Sequence, residues 1–250
     1  MLRRQTAAAW AWRALQSSTE RGQGYQHLSQ RGLQLFDVFN KEKARERTKE
    51  IKEEMKRGYF EDFKDLKETQ GRMFEPSEAL SPPSTSTQLP NIAAAAADGI
   101  DVGFPPPQGT FQAALLCIAF RAGAEDMLRS WSEPFREAHG HRPDVRWYEL
   151  SLVESVVMSF WPFKQMIIKS GAQQQQQSRT PEQAGLQPQP LFSFGDATEI
   201  RKALDMTNRL TGYVYLVDSK NRIRWSASGK ASPDEAQAFI ECSKELIRDR

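Results

Sequence analysis

A mixed α/β sheet flanked by helices, with a charged helical arm in front, is the fold class this sequence predicts, and three observations predict it. Short apolar or alternating runs suited to strands sit between segments with helical spacing. The run "TGYVYLVDSKNRIRWSASGKASPDEAQAFI", Thr211 to Ile240, reads strand, turn, strand, capped helix. Ahead of both lies a charge-dense stretch, Phe36 to Phe74, in which acids precede bases by three residues at Glu42/Arg45, Glu46/Lys49, Glu53/Lys56 and Glu61/Lys64.

The totals narrow the function classes. The 250 residues are 39% hydrophobic and 26% charged, which suits a folded domain with extensions. No apolar run reaches the ~18 to 20 residues of a spanning helix. A net charge of +2 imposes no nucleic-acid partner. Two cysteines, Cys117 and Cys242, are too few for a secreted disulfide scaffold; one bridge between them is possible, and two reduced, packed thiols are the plainer reading.

Residues 1–31, "MLRRQTAAAWAWRALQSSTERGQGYQHLSQR", carry Arg3, Arg4, Arg13, Arg21 and Arg31 against the single acid Glu20. Leu2, Trp10, Trp12 and Leu15 fit one side of a short amphipathic helix. An Arg-rich, Ser-containing, acid-poor start is the composition of a mitochondrial transit peptide, with a plain basic tail as the alternative. Arg13 interrupts the only candidate for a secretory core. The arm at 36–74 has a thin apolar stripe, Ile51, Met55, Tyr59, Phe63 and Leu66, interrupted at Gly58; it lies on the domain, on a partner, or in solvent. Residues 75–109, rich in Pro, Ser and Ala, read as a linker with Pro105 to Pro107 extended.

The folded domain is expected at 110–250. Ala114 to Phe120, "ALLCIAF", suits a central strand covered on both faces. Ala124 to Ala138 has helical spacing at Met127, Leu128, Trp131 and Phe135. Val145 to Val153 is a second strand. "VVMSFWPFKQMIIKSG" is apolar and aromatic around Pro162, either buried or a contact surface. A Gln-rich insert at 171–190 reads as a disordered loop. "DATEIRKALDMTN" forms a helix with Ile200, Leu204 and Met206 facing inward. Tyr213–Val217 pairs with Ile223–Ala227 across "DSKNR". Ser232 caps the last helix, Pro233 takes its first position, and Glu235 completes a capping box. Phe239, Ile240, Leu246 and Ile247 form its inner face. This is the thioredoxin-like order.

Such folds usually perform thiol chemistry, which needs a thiolate at the helix N-terminus after the first core strand. Here that junction reads "FRAGAEDML", without cysteine. Cys117 lies inside the strand, where an apolar setting keeps a thiol protonated. Cys242 sits in the last helix as core filling. The residue before the hairpin strand is not the proline that usually faces a redox site. "SGKAS" fails the spacing of a phosphate loop, with Arg224 and Ala231 at the needed Gly and hydroxyl positions. His139 and His141 have no third ligand nearby and are read as a surface loop. No catalytic residue, cofactor or metal is expected.

Three blocks resemble a known family. They are "KEEMKRGYFEDFKDLKETQGRMF" with its Gly58-Tyr59-Phe60 step, "FPPPQGTFQAALLCIAFR", and "TGYVYLVDSKNRIRWSASGKASPDE" with Gly212-Tyr213-Val214, Asp218, Arg222-Ile223-Arg224-Trp225, Gly229 and Ala231. Their order after a basic presequence is similar to that of the ATP-ten family of mitochondrial assembly factors for the membrane sector of the F-type ATP synthase. The resemblance implies a non-catalytic chaperone, peripheral on the matrix side of the inner membrane, that binds newly made subunit a and neither nucleic acid nor a small-molecule substrate. The residues expected to meet partners are Tyr59, Phe60, Tyr213, Arg224 and Trp225, together with Trp161 and Phe163 of the apolar stretch. A mitochondrial thiol oxidoreductase or redox sensor using Cys117 or Cys242 is the alternative from another class, and a plastid stromal protein of the same fold a third.

Overall fold

A computed structural model of the chain describes residues 60–69, 71–120, 122–154, 168 and 185–249. The presequence, the arm before residue 60 and the core of the Gln-rich insert lie outside the described residues. Seven strands make one sheet: β1 (Ile92–Ala96), β2 (Asp101–Phe104), β3 (Ala113–Ala119), β4 (Val145–Val153), β5 (Pro188–Phe194), β6 (Tyr213–Asp218) and β7 (Ile223–Ser228). Among the described residues four helices accompany them: α1 (60–69), α2 (Glu125–His139), α3 (Thr198–Ala203) and α4 (Pro233–Arg248).

The strand order is β2-β1-β5-β4-β3-β6-β7. β3 is central, parallel to β4 and antiparallel to β6, and β6 turns antiparallel into β7. A strand-helix-strand unit followed by an antiparallel hairpin and a helix, with β3 between β4 and β6, is the thioredoxin-like arrangement. The continuous apolar run of β3 follows from this placement, because a central strand is covered on both faces. Leu116 and Ile118 face one side with Tyr148, Leu150, Tyr213 and Tyr215, under Leu204 and Met206 from the α3 region. Leu115 and Cys117 face the other with Trp147, Val214, Leu216 and Trp225, under Trp131 and Phe135 of α2 and Phe239, Leu246 and Ile247 of α4.

The expectation of a linker at 75–109 is corrected. Residues 92–104 supply β1 and β2, and residues 77–89 run along the outer edge of β7. Ser77 N–H donates to Ser226 O at 2.9 Å, Ser81 N–H to Arg224 O at 2.7 Å, and Ile223 N–H to Thr87 O at 2.8 Å. An unpaired edge would otherwise expose these groups. The alanine run favours helix by propensity, but pairing with β2 and β5 overrides it. Asp98-Gly99 was the missed signal: Gly99 has φ +86°, and Ile100 N–H donates to the Asp98 carboxylate at 2.9 Å.

The expected insert also ends sooner than 190, because Pro188–Pro190 open β5, parallel to β4. Ile168 is buried with Ala95 and Phe192, so this end of the apolar stretch is core; residues 155–167 lie outside the described residues. α4 has its capping box, with Ser232 Oγ accepting from Glu235 N–H and the Glu235 carboxylate accepting from Ser232 N–H.

His139 is another correction. It closes α2 in the interior, 3% exposed, rather than lying in a surface loop. Its Nε2 is 2.7 Å from Ser243 Oγ, and that hydroxyl donates to Ile240 O at 2.7 Å. A hydroxyl has one proton to give, so the imidazole Nε2–H is the donor to Ser243. Burial, with Arg142 and Lys244 adding positive charge, lowers its pKa to about 4.

Acid should therefore weaken the fold through this residue. The folded pKa lies below the unfolded value, so the unfolded chain takes the proton first and stability falls as pH drops from 6.5 to about 4. The loss reaches about 3 kcal/mol at the acid end, and urea unfolding across this range should show that increment removed in His139→Gln. The glycines give a second check. Gly229 has φ +73°, and a Cβ there would stand 2.7 Å from Gly71 O, whereas Gly103 has open space. Gly229→Ala should cost about 2 kcal/mol or more in thermal or urea unfolding, and Gly103→Ala should change stability by less than about 1 kcal/mol.

Candidate functional site

A thioredoxin-like enzyme keeps its thiol where the first core strand passes into the helix that follows it. β3 ends at Ala119, a short 3-10 turn spans Ala122–Ala124, and α2 begins at Glu125. This turn brings backbone N–H groups and a helix dipole to the end of a buried strand, a setting that lowers a thiol pKa. Residues 120–127 hold no cysteine. Cys117 is 1% exposed, three residues back in β3, and burial pushes its thiol well up. In the β3–β4 register Cys117 pairs with Glu149, whose charge raises it further. The half-buried Glu149 carboxyl is itself pushed up to about 7 by burial, with Glu125 adding. Cys242, buried on α4, is also free and also raised by burial.

The chain sets its own N-terminal segment beside this place, against Met127 of α2 and Thr211 before β6, while Gly123, Glu125 and Asp126 stay exposed. Gly212, just before β6, packs so tightly on the start of α2 that a Cβ would meet Leu128 at 2.8 Å. Beside that junction lie α1 and Gly71. α1 ends as Gly71 takes φ +85° and its N–H donates to Leu66 O at 3.0 Å, a closure that favours glycine. Leu66 and Met127 both approach the open side of Gly71, and Thr211 Oγ1 donates to Gly71 O. Beyond it, the Arg72 guanidinium grips the Glu235 carboxylate and holds its pKa down to about 2. The segment then enters the edge of β7, where Met73 and Phe74 N–H donate to Ser228 Oγ at 2.8 and 2.9 Å.

α1 is seated by polar contacts. Asp62 is 8% exposed, its backbone carbonyl accepting from Asn208 Nδ2 at 2.7 Å and its carboxylate from Arg209 N–H at 3.3 Å. Arg209 Nη1 lies 3.8 Å from that carboxylate, and its Nε donates to Glu154 at 2.5 Å. Burial raises the Asp62 pKa, against the pull of Arg209. Tyr213 holds the receiving loop: its hydroxyl accepts from Asn208 N–H and donates to Asn208 O, both at 2.9 Å.

The residues singled out from sequence divide accordingly. Phe60 is 67% exposed on α1. Tyr59, Trp161 and Phe163 lie outside the described residues. Tyr213, Arg224 and Trp225 point inward, so their side chains present no surface to a partner. Trp225 Nε1 donates to Ser77 O at 2.6 Å; Arg224 donates to Ser81 O at 2.6 Å and pairs with Asp249 at 3.1 Å. The residues sequence reasoning missed are Asp62, Arg209 and Thr211. Their types are common on any polar surface, and only their convergence singles them out. Among the described residues, no helix is long and apolar enough to cross a membrane, and no three metal-ligating side chains converge.

Among solved structures, a peroxiredoxin-like protein from Aquifex aeolicus is 11% identical with a TM-score of 0.42, covering 69% of this chain and 99% of that one. BsSco, a member of the Sco family of cytochrome c oxidase assembly proteins, is 14% identical with a TM-score of 0.43, covering 70% and 100%. The fold rests on the strand order above and not on these likenesses. A curated relative, the mitochondrial ATPase complex subunit ATP10 of Saccharomyces cerevisiae, is 24% identical over 233 residues, 86% of this chain and 79% of the relative. The model of the family described as ATP10 protein matches residues 14–246, arm, sheet and closing helix together, and the chain belongs to that family.

Proposed function

We propose that this chain is an assembly factor for the membrane sector of the mitochondrial F-type ATP synthase. It acts as a chaperone for newly made subunit a, peripherally on the matrix side of the inner membrane. The observation that carries the reading is membership of the ATP10 family across residues 14–246, with a relative that is a mitochondrial ATPase complex subunit. The vacant thiol position agrees with it, since a chaperone recognises a client without needing a thiolate. The competing reading, a thiol oxidoreductase or redox sensor, requires Cys117 or Cys242 to ionise, and burial opposes that at both. Tyr59, Phe60, Trp161 and Phe163 are the candidates for client or membrane contact, because aromatic side chains suit both an apolar segment and the headgroup boundary.

Two experiments test this reading. Cells lacking the endogenous family member should regain assembled ATP synthase, read on native gels, when given this chain, and equally when given its Cys117→Ala/Cys242→Ala variant. Failure of the wild-type chain would remove the assembly role; failure of a folded double variant alone would favour the redox reading. The basic presequence is the second target. Arg3, Arg4 and Arg13 all changed to Glu should hold the precursor in the cytosol, because import helices rely on positive charge. Mitochondrial recovery of that triple variant at the normal level would remove the targeting argument.

A further inference from the structure

We propose that α1 is a displaceable strap: it occupies, in the free protein, the groove between the first turn of α2 and residues 208–212, beside the vacant thiol position, and this groove is used for binding an amphipathic helical segment of a client that carries a carboxylate in the place of Asp62. This deepens the assembly reading and rests on it, because it names the surface and the kind of segment received.

Three observations carry the inference. The groove is built: the first turn of α2 at Met127 and Leu128, the loop at Asn208 to Gly212 and the anchoring Tyr213 hydroxyl give it two walls and a fixed floor. Its present occupant is a helix, so the groove already fits one. The helix is held weakly by apolar burial, since Asp62 is its only buried residue between 60 and 69 and Leu66 is half-buried. Its hold is the polar latch of Asp62 to Asn208 and Arg209.

Charge complementarity points to the client chemistry. Asp62 is the carboxylate that Arg209 receives, and Arg201 adds positive charge toward the same point. Arg209 is shared with Glu154 at 2.5 Å, so it stays paired when α1 leaves. That lowers the cost of opening, because a departing Asp62 does not strand an unpaired buried cation. A helix whose carboxylate replaces Asp62 regains the same contacts, and the strap and client then exclude one another. The apparent affinity of the groove is set by the fraction of molecules with the strap open.

The test uses the full chain in its Cys117→Ala/Cys242→Ala background, with a fluorescent peptide of residues 60–74 supplied in trans as the probe. Leu66→Cys and Met127→Cys are introduced together and joined by a reducible bis-maleimide. The two side chains flank Gly71, within 3.3 Å of the point a Cβ would occupy, so a short linker spans them. Fluorescence anisotropy should show the peptide binding the reduced protein and binding the cross-linked protein at least tenfold more weakly, on the order of magnitude that closing a minor open state produces. Asp62→Asn, which needs no cross-link and keeps the side-chain shape, should bind the peptide about tenfold more tightly by loosening the internal strap. Equal binding to cross-linked and reduced protein, an Asp62→Asn variant that binds no better, or no binding to the reduced protein would each overturn the strap. If the cysteine pair does not fold, the Asp62→Asn arm decides alone. This readout involves no ATP synthase, so its failure leaves the assembly reading standing, and failure of complementation leaves the strap result standing.

Discussion

Two indole N–H groups with nowhere to go but inward organise this domain. Trp131 on α2 and Trp225 on β7 are both buried, with ring centroids 5.3 Å apart and Phe239 of α4 packed on each at 5.5 and 4.8 Å. Such rings bury more area than any other side chain, but each carries a donor that must be met. Trp131 gives its proton to Gly229 O at 2.9 Å and Trp225 gives its to Ser77 O. The first bond fixes the turn between β7 and α4, and the second draws the segment after the arm against the edge of β7. Packing the core and closing the sheet are therefore one requirement.

The same requirement sets what stands beside the place where a thioredoxin-like enzyme keeps its thiol. Once residues 71–89 are drawn over β7, the chain ahead of them has a short path, and it passes Met127 in the first turn of α2. Gly71 fits there because its left-handed backbone turns α1 away and because Gly229 leaves it room. The place remains well built, with a strand end, a helix start and a tyrosine-held loop. What stands beside it is a polypeptide segment, and no cysteine occurs among residues 120–127.

Much of this was legible. β4 was read at its observed limits, β3, β6 and β7 within a residue, and the Ser232 to Glu235 cap was read in full. Those signals are local: apolar runs of strand length, a turn of Asp, Ser and Asn, and a serine followed by Pro and two acids. Residues 92–104 were not legible in the same way, since small side chains carry little hydrophobic pattern and pair as strands only because β5 lies beside them. Tyr213, Arg224 and Trp225 were chosen as partner contacts from a motif shared with a family. Their burial shows that the motif marks the residues that hold the hairpin, the β7 edge and the C-terminus together.

What the sequence by itself determined was the order β3-α2-β4 and α3-β6-β7-α4, the cap of α4 and the lack of a cysteine at the helix start, because each depends on neighbours a few residues away. What only the tertiary structure decided was which face His139 joins, that the alanine run and Pro188–Phe194 are strands, and what lies beside the first turn of α2. Asp62 and Arg209 stand 147 residues apart, and neither has an apolar period or a spacing that announces the other. Their pairing depends on the sheet, since the loop carrying Asn208 and Arg209 is held by the hydroxyl of Tyr213 at the start of β6. Long-range polar convergence of that kind leaves no local trace in a chain.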